Sequence, residues 1–118
     1  MAFAIIFGAF GAHYLKNTLS PNHLLTFETG IRYQVYGGLG LFILILLSKF
    51  YSVNLRSPVC LLGIGILIFS GTLYFLALRT IMGIEGMAWI GAITPIGGGC
   101  MIASWIWTAF IFYKLKTK

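Results

Sequence analysis

The stretch PVCLLGIGILIFSGTLYFLAL, from Pro58 to Leu78, carries no charged side chain. At about 1.5 Å of rise per residue, a helix over these 21 residues is about 32 Å long, enough to cross a hydrocarbon core of about 30 Å. Lipid offers the backbone no hydrogen-bond partner, so such a run must satisfy itself as a helix. Three more apolar segments flank it: Met1 to about Tyr14, Ile31 to Ser48, and Met87 to Tyr113. Together they predict spans over about 1–14, 31–48, 58–78 and 87–113. The expected fold is all-α, an integral membrane four-helix bundle in which residues 1–118 form a single four-span transmembrane domain.

Composition agrees. Hydrophobic residues make up 59% and charged residues 8%, and mean hydropathy is +0.97, whereas a soluble domain is about 25% charged. The net charge of +6 comes from basic residues that stand singly or at the C-terminus. It reads as anchoring to a membrane surface, not as a nucleic-acid footprint. Cys60 starts one span while Cys100 lies inside another, at depths differing by about 10 Å or more, beyond the ~7 Å limit for a bridge. Both are expected to be free.

The first segment is short: its fourteen residues give about 21 Å of helix. No Lys or Arg precedes Lys16, so the basic region of a signal peptide is missing. An upstream start outside this chain, or a short helix protected by its neighbours, is expected. In the first connection, Ser20-Pro21 offers an N-cap followed by Pro at the first helical position, and an interfacial turn there leads into the second span. Lys49 and Arg56 mark the second connection, Arg79 and Glu85 the third. Four spans place the N-terminus, Lys49, Arg56, Lys114, Lys116 and Lys118 on one side, opposite Lys16, Arg32 and Arg79. Positive-inside asymmetry then puts both termini in the cytoplasm; the location expected is a plasma (inner) membrane.

Four clusters hold most polar residues near the spans: Gly8 to His13, Glu28 to Gln34, Phe69 to Tyr74, and Gly91 to Gly98. The four-span topology brings them to one half of the membrane, where polar groups must meet each other. The expected outer-half network comprises His13, Glu28, Arg32, Tyr33, Gln34, Ser70, Tyr74, Thr94 and Pro95. Glu28 and Arg32, four apart, share a helix face and can pair. Pro95 should kink or break the fourth span, because it lacks an amide donor and clashes with the carbonyl of Gly91. Gly91, Pro95, Gly99 and Ala103 recur every four residues as a small ridge of the kind that packs helices in lipid. Neither a catalytic triad nor a paired-carboxylate site is present, and Glu28 and Glu85 are the only carboxylates. The expectation is therefore a protein that is not an enzyme, with no cofactor and no metal.

In this order, the motifs at Gly8 to His13, Glu28 to Gln34, Phe69-Ser70-Gly71 with Tyr74, and Ile93 to Gly98 resemble the YgdD-like family of small bacterial membrane proteins, which also has animal mitochondrial relatives. The resemblance covers essentially the whole chain and implies a four-helix integral membrane protein of unknown function. Members of that family tend to carry a longer first helix, and a His where this chain has Gly37. The functional expectation is a multi-pass structural or accessory protein whose partners are the lipid bilayer and either its own copies or a larger membrane complex. The alternative is an oligomeric channel or exporter for a small ion or solute.

Overall fold

The computed structural model describes residues 1–84 and 86–117; Glu85 and Lys118, both used in the sequence reading, lie outside them. Four α-helices follow one another: α1 (Ala2–His13), α2 (Pro21–Phe50), α3 (Arg56–Leu78) and α4 (Thr94–Lys116). Short 3-10 turns lie at Leu15–Asn17 and Ala88–Ala92. The fold is the all-α membrane bundle that the sequence implies.

The cap at α2 is where Ser20-Pro21 places it. Ser20 is extended, its Oγ accepts from the His23 amide at 3.5 Å, and Pro21 opens the helix. No separate interfacial turn follows, however. The helix runs unbroken for 30 residues, about 45 Å, so its first turns project beyond the hydrocarbon. Gly30 does not interrupt it, because the Tyr74 ring packs where a side chain would stand. The turn after α2 passes through Ser52 at φ 51° and is closed by the Ser48 hydroxyl, which donates to the Val53 carbonyl at 2.6 Å.

The fourth apolar run is divided, not continuous over 87–113. A 3-10 turn ends at Ala92, and α4 starts afresh at Thr94 with Pro95 in its first turn. At that position the missing amide costs nothing, since the first amides of a helix lack intrahelical partners anyway.

Three of the helices have the length and hydropathy to cross a membrane. The first does not. Its 12 residues extend about 18 Å, and the Met1 side chain lies beside Gly38, more than halfway along α2. The expected span over 1–14 corresponds, in the structure, to this 12-residue helix. It packs against the part of α2 that begins at Pro21.

Helix α3 forms the centre, packed on α2 along one face and on α4 along another. The molecule is a slab of 56 × 28 × 17 Å. One small core, beside α1, gathers Leu15, Phe27 and Ala77 with Phe7 and Tyr74 around them. The other, towards the opposite end, gathers Leu44, Leu55, Leu62 and Ile66. Lipid is as apolar as leucine, so these helices are held by close fit and hydrogen bonds, not by expulsion of water. The closest fit is between Gly65 and Gly97, where a Cβ on either would stand 2.9 Å from the other's carbonyl oxygen. Cys60 and Cys100 are both free thiols, as expected.

Candidate functional site

The polar residues of the half containing α1 divide between two faces of α3 and an outward cleft. On the α2 face, the Tyr74 hydroxyl donates to Gln34 Oε1 at 2.5 Å. The ring behind it packs edge-on against Phe7, with centroids 5.1 Å apart, and lies 5.0 Å from Phe27, so α1, α2 and α3 meet around one tyrosine. On the α4 face, the hydroxyls of Thr72 and Thr94 lie 2.8 Å apart, while Thr72 also donates to the Phe69 carbonyl. This link fixes the start of α4 just where Pro95 restarts the helix.

Ser70 is 3% exposed, and its hydroxyl has no partner. A buried unpartnered hydroxyl costs about 1–3 kcal/mol. Ser70→Ala is accordingly expected to leave stability unchanged or raise it by about 1 kcal/mol, as read from thermal unfolding in detergent; a clear loss would mean that the hydroxyl has a partner.

Tyr33 is turned away from both polar links. Its ring packs on Phe69 with centroids 4.6 Å apart, and it lines a cleft of about 480 Å³ between α2 and α4 together with Gly98, Met101 and Trp105. That cleft is lined mostly by apolar groups. Pro95 is exposed on α4, and His13 is exposed at the end of α1. Glu28 and Arg32 are also exposed and form no ion pair with each other. They face a smaller cleft shared with Gly8, Gly11 and Ala12 of α1. The nine residues thus gather at one end of the molecule without meeting as one network.

Sequence reasoning missed the polar lock at the opposite end. Ser104, fully buried, donates to the Pro58 carbonyl at 2.7 Å, and Thr108 donates to the Ser104 carbonyl at 2.9 Å. The signal was present: Gly97, Met101, Ser104 and Thr108 are spaced 4, 3 and 4 apart, the spacing of a single helix face. The expected ridge of Gly91, Pro95, Gly99 and Ala103 behaves differently. Pro95, Gly99 and Ala103 are exposed, and nothing lies within 4 Å of a Cβ built on Gly99. Close packing within the chain uses Gly97 and Ser104 instead.

No group of three or more His, Cys, Asp or Glu side chains that could hold a metal occurs among the described residues. Comparison with known proteins decides the family. A family model described as "Protein of unknown function (DUF423)" matches residues 7–98. This chain belongs to the DUF423 family. A UPF0382 membrane protein of Staphylococcus saprophyticus is 44% identical over 92% of this chain and 85% of its own length. One from Staphylococcus haemolyticus is 42% identical over 91% and 83%. The UPF0382 membrane protein YwdK of Bacillus subtilis is 38% identical over 87% and 80%. No solved structure matches. The DUF423 match runs from within α1 into the first turns of α4, so it takes in the Tyr74–Gln34 and Thr72–Thr94 links but not Ser104. The protein is therefore a small helical membrane protein of a family whose activity is unassigned.

Proposed function

We propose that this DUF423 protein is an accessory component of the bacterial inner membrane that works by packing against other membrane helices, first of all a second copy of itself. It has no catalytic step and no cofactor in this reading. The four motifs favour a kinship with YgdD-like proteins. Lys49, Arg56, Lys114 and Lys116 mark the end that the positive-inside rule puts in the cytoplasm, with the C-terminus.

One observation carries the reading. Gly99 and Ala103, a small-xxx-small pair, are exposed, and no described residue lies within 4 Å of a Cβ built on Gly99. In lipid such a pair lets two backbones approach closely, and close packing drives association there. The alternative, a channel or exporter, draws less support, because Tyr74 with Gln34 and Thr72 with Thr94 use their polar groups to join helix to helix.

Gly99→Leu and Ala103→Leu are expected to weaken dimerisation at least about tenfold, the effect of a modest overpacking cost. Native mass spectrometry from membranes reads it. Gly71→Leu, at an open position on α3, serves as the control and should leave the dimer intact. A wild-type protein that is monomeric throughout would overturn the proposal.

A further inference from the structure

We propose that the cleft between α1 and α2 binds the headgroup of an aminophospholipid, with Arg32 on the phosphate and Glu28 on the primary ammonium. Both side chains are exposed and line the same cleft. They form no ion pair with each other, so their charges are open to a ligand. Across from them α1 presents only Gly8, Gly11 and Ala12. A Cβ added at Gly8 would meet nothing within 4 Å, which leaves room for a bulky group beside the two charges.

Depth fits. Arg32 and Lys49 lie 17 residues apart on α2, about 26 Å along the axis, slightly less than a hydrocarbon core of about 30 Å. With Lys49 near one boundary, Arg32 stands near the other, and Glu28 is one turn further out, at headgroup level. This holds whichever way the protein is oriented.

The order of the two charges carries the assignment. Passing from water towards the bilayer centre along α2, a ligand meets first a carboxylate and then a guanidinium. An aminophospholipid presents its ammonium outermost, then its phosphate, then its acyl chains. The spacing of i and i+4 side chains, about 5–6 Å between Cβ atoms, suits two groups joined through a short linker. Arg offers a planar fork that matches phosphate oxygens, and Glu accepts from the N–H donors of a primary ammonium. A choline headgroup has no N–H to donate, and phosphatidylglycerol has no cation.

The test is native mass spectrometry of the purified protein exchanged into equal amounts of phosphatidylethanolamine, phosphatidylcholine and phosphatidylglycerol. Wild type is expected to retain phosphatidylethanolamine about tenfold over the other two, the worth of one charge-assisted hydrogen bond. Glu28→Gln should remove that preference, and Arg32→Gln should lower retention of all three. The double exchange of Glu28→Arg with Arg32→Glu keeps the net charge but reverses the order, and should also remove it. Neither side chain belongs to a packed core, so melting of the variants without added lipid should match wild type. Equal retention of the three lipids by wild type would overturn the proposal, as would a preference that survives Glu28→Gln. Displacement of the lipid by free phosphoethanolamine at equal concentration would overturn the assignment to a membrane lipid.

Discussion

Gly97→Leu is expected to destabilise the protein by about 3 kcal/mol or more, the upper end of overpacking costs. The reason lies in what the new side chain would meet. A Cβ at this position would stand 2.5 Å from the Phe69 amide nitrogen and 2.9 Å from the Gly65 carbonyl oxygen. Both are backbone atoms of α3, so no rotamer change relieves the clash and the helices must separate. Separation would also pull Ser104 from the Pro58 carbonyl and Thr94 from Thr72, leaving polar groups unpaired in lipid. Gly65→Leu should cost a similar amount, since its Cβ would stand 2.9 Å from the Met101 amide and from the Gly97 carbonyl. The two variants share one contact, and the double variant should cost much less than their sum. Thermal unfolding in mild detergent measures all three. Gly99→Ala, two residues from Gly97, should stay within about 0.5 kcal/mol of wild type.

The second large effect is expected at Tyr74. Tyr74→Ala should cost about 3–5 kcal/mol, as for other large aromatic truncations. The ring is the common neighbour of Phe7, Phe27 and Gly30, so its loss opens a void where α1, α2 and α3 meet. Tyr74→Phe keeps the ring and removes only the bond to Gln34. Interhelical hydrogen bonds in membranes are worth about 0.6 kcal/mol on average and about 1.7 at most, and the phenylalanine variant should lose no more than that. Gln34→Leu in the Tyr74→Phe background should add little beyond the single changes. A cost for Tyr74→Phe equal to that for Tyr74→Ala would show that the hydroxyl, and not the ring, holds the three helices together.

The sequence announces the membrane segments because their signal is long and cumulative. Pro58 to Leu78 falls wholly within α3, and the Ser20-Pro21 cap and the Pro95 break are local rules of backbone chemistry that lipid does not override. The face that each helix turns inward was much less legible. A soluble helix marks its buried face by a contrast between apolar and polar sides, whereas α4 is apolar all round. Its two small stripes, one through Gly97 and Ser104 and the other through Gly99 and Ala103, look alike in sequence. Only the partner helix tells them apart: Gly97 meets Gly65, and Gly99 meets nothing.

The same limit explains the polar residues. Topology brings Gln34, Tyr74, Thr72 and Thr94 to one end, but the rotation of α3 sends Tyr74 to α2 and Thr72 to α4. Glu28 and Arg32 share a helix face, yet nothing in their spacing reveals that α1 would lay a glycine-lined cleft beside them. The short α1 was visible as an anomaly of length, and the structure gives it a place against α2 and beside Tyr74.

The outward face of α4 is tested most directly by cysteine crosslinking in native membranes, with Cys60 and Cys100 first replaced by serine. Single cysteines at Gly99, Ala103, Ser104 and Thr108 are then oxidised and the products separated by size. Crosslinked dimers are predicted at positions 99 and 103 and not at 104 or 108, which are buried. Absence of dimer at 99 and 103, or equal dimer at all four positions, would contradict the assembly proposed.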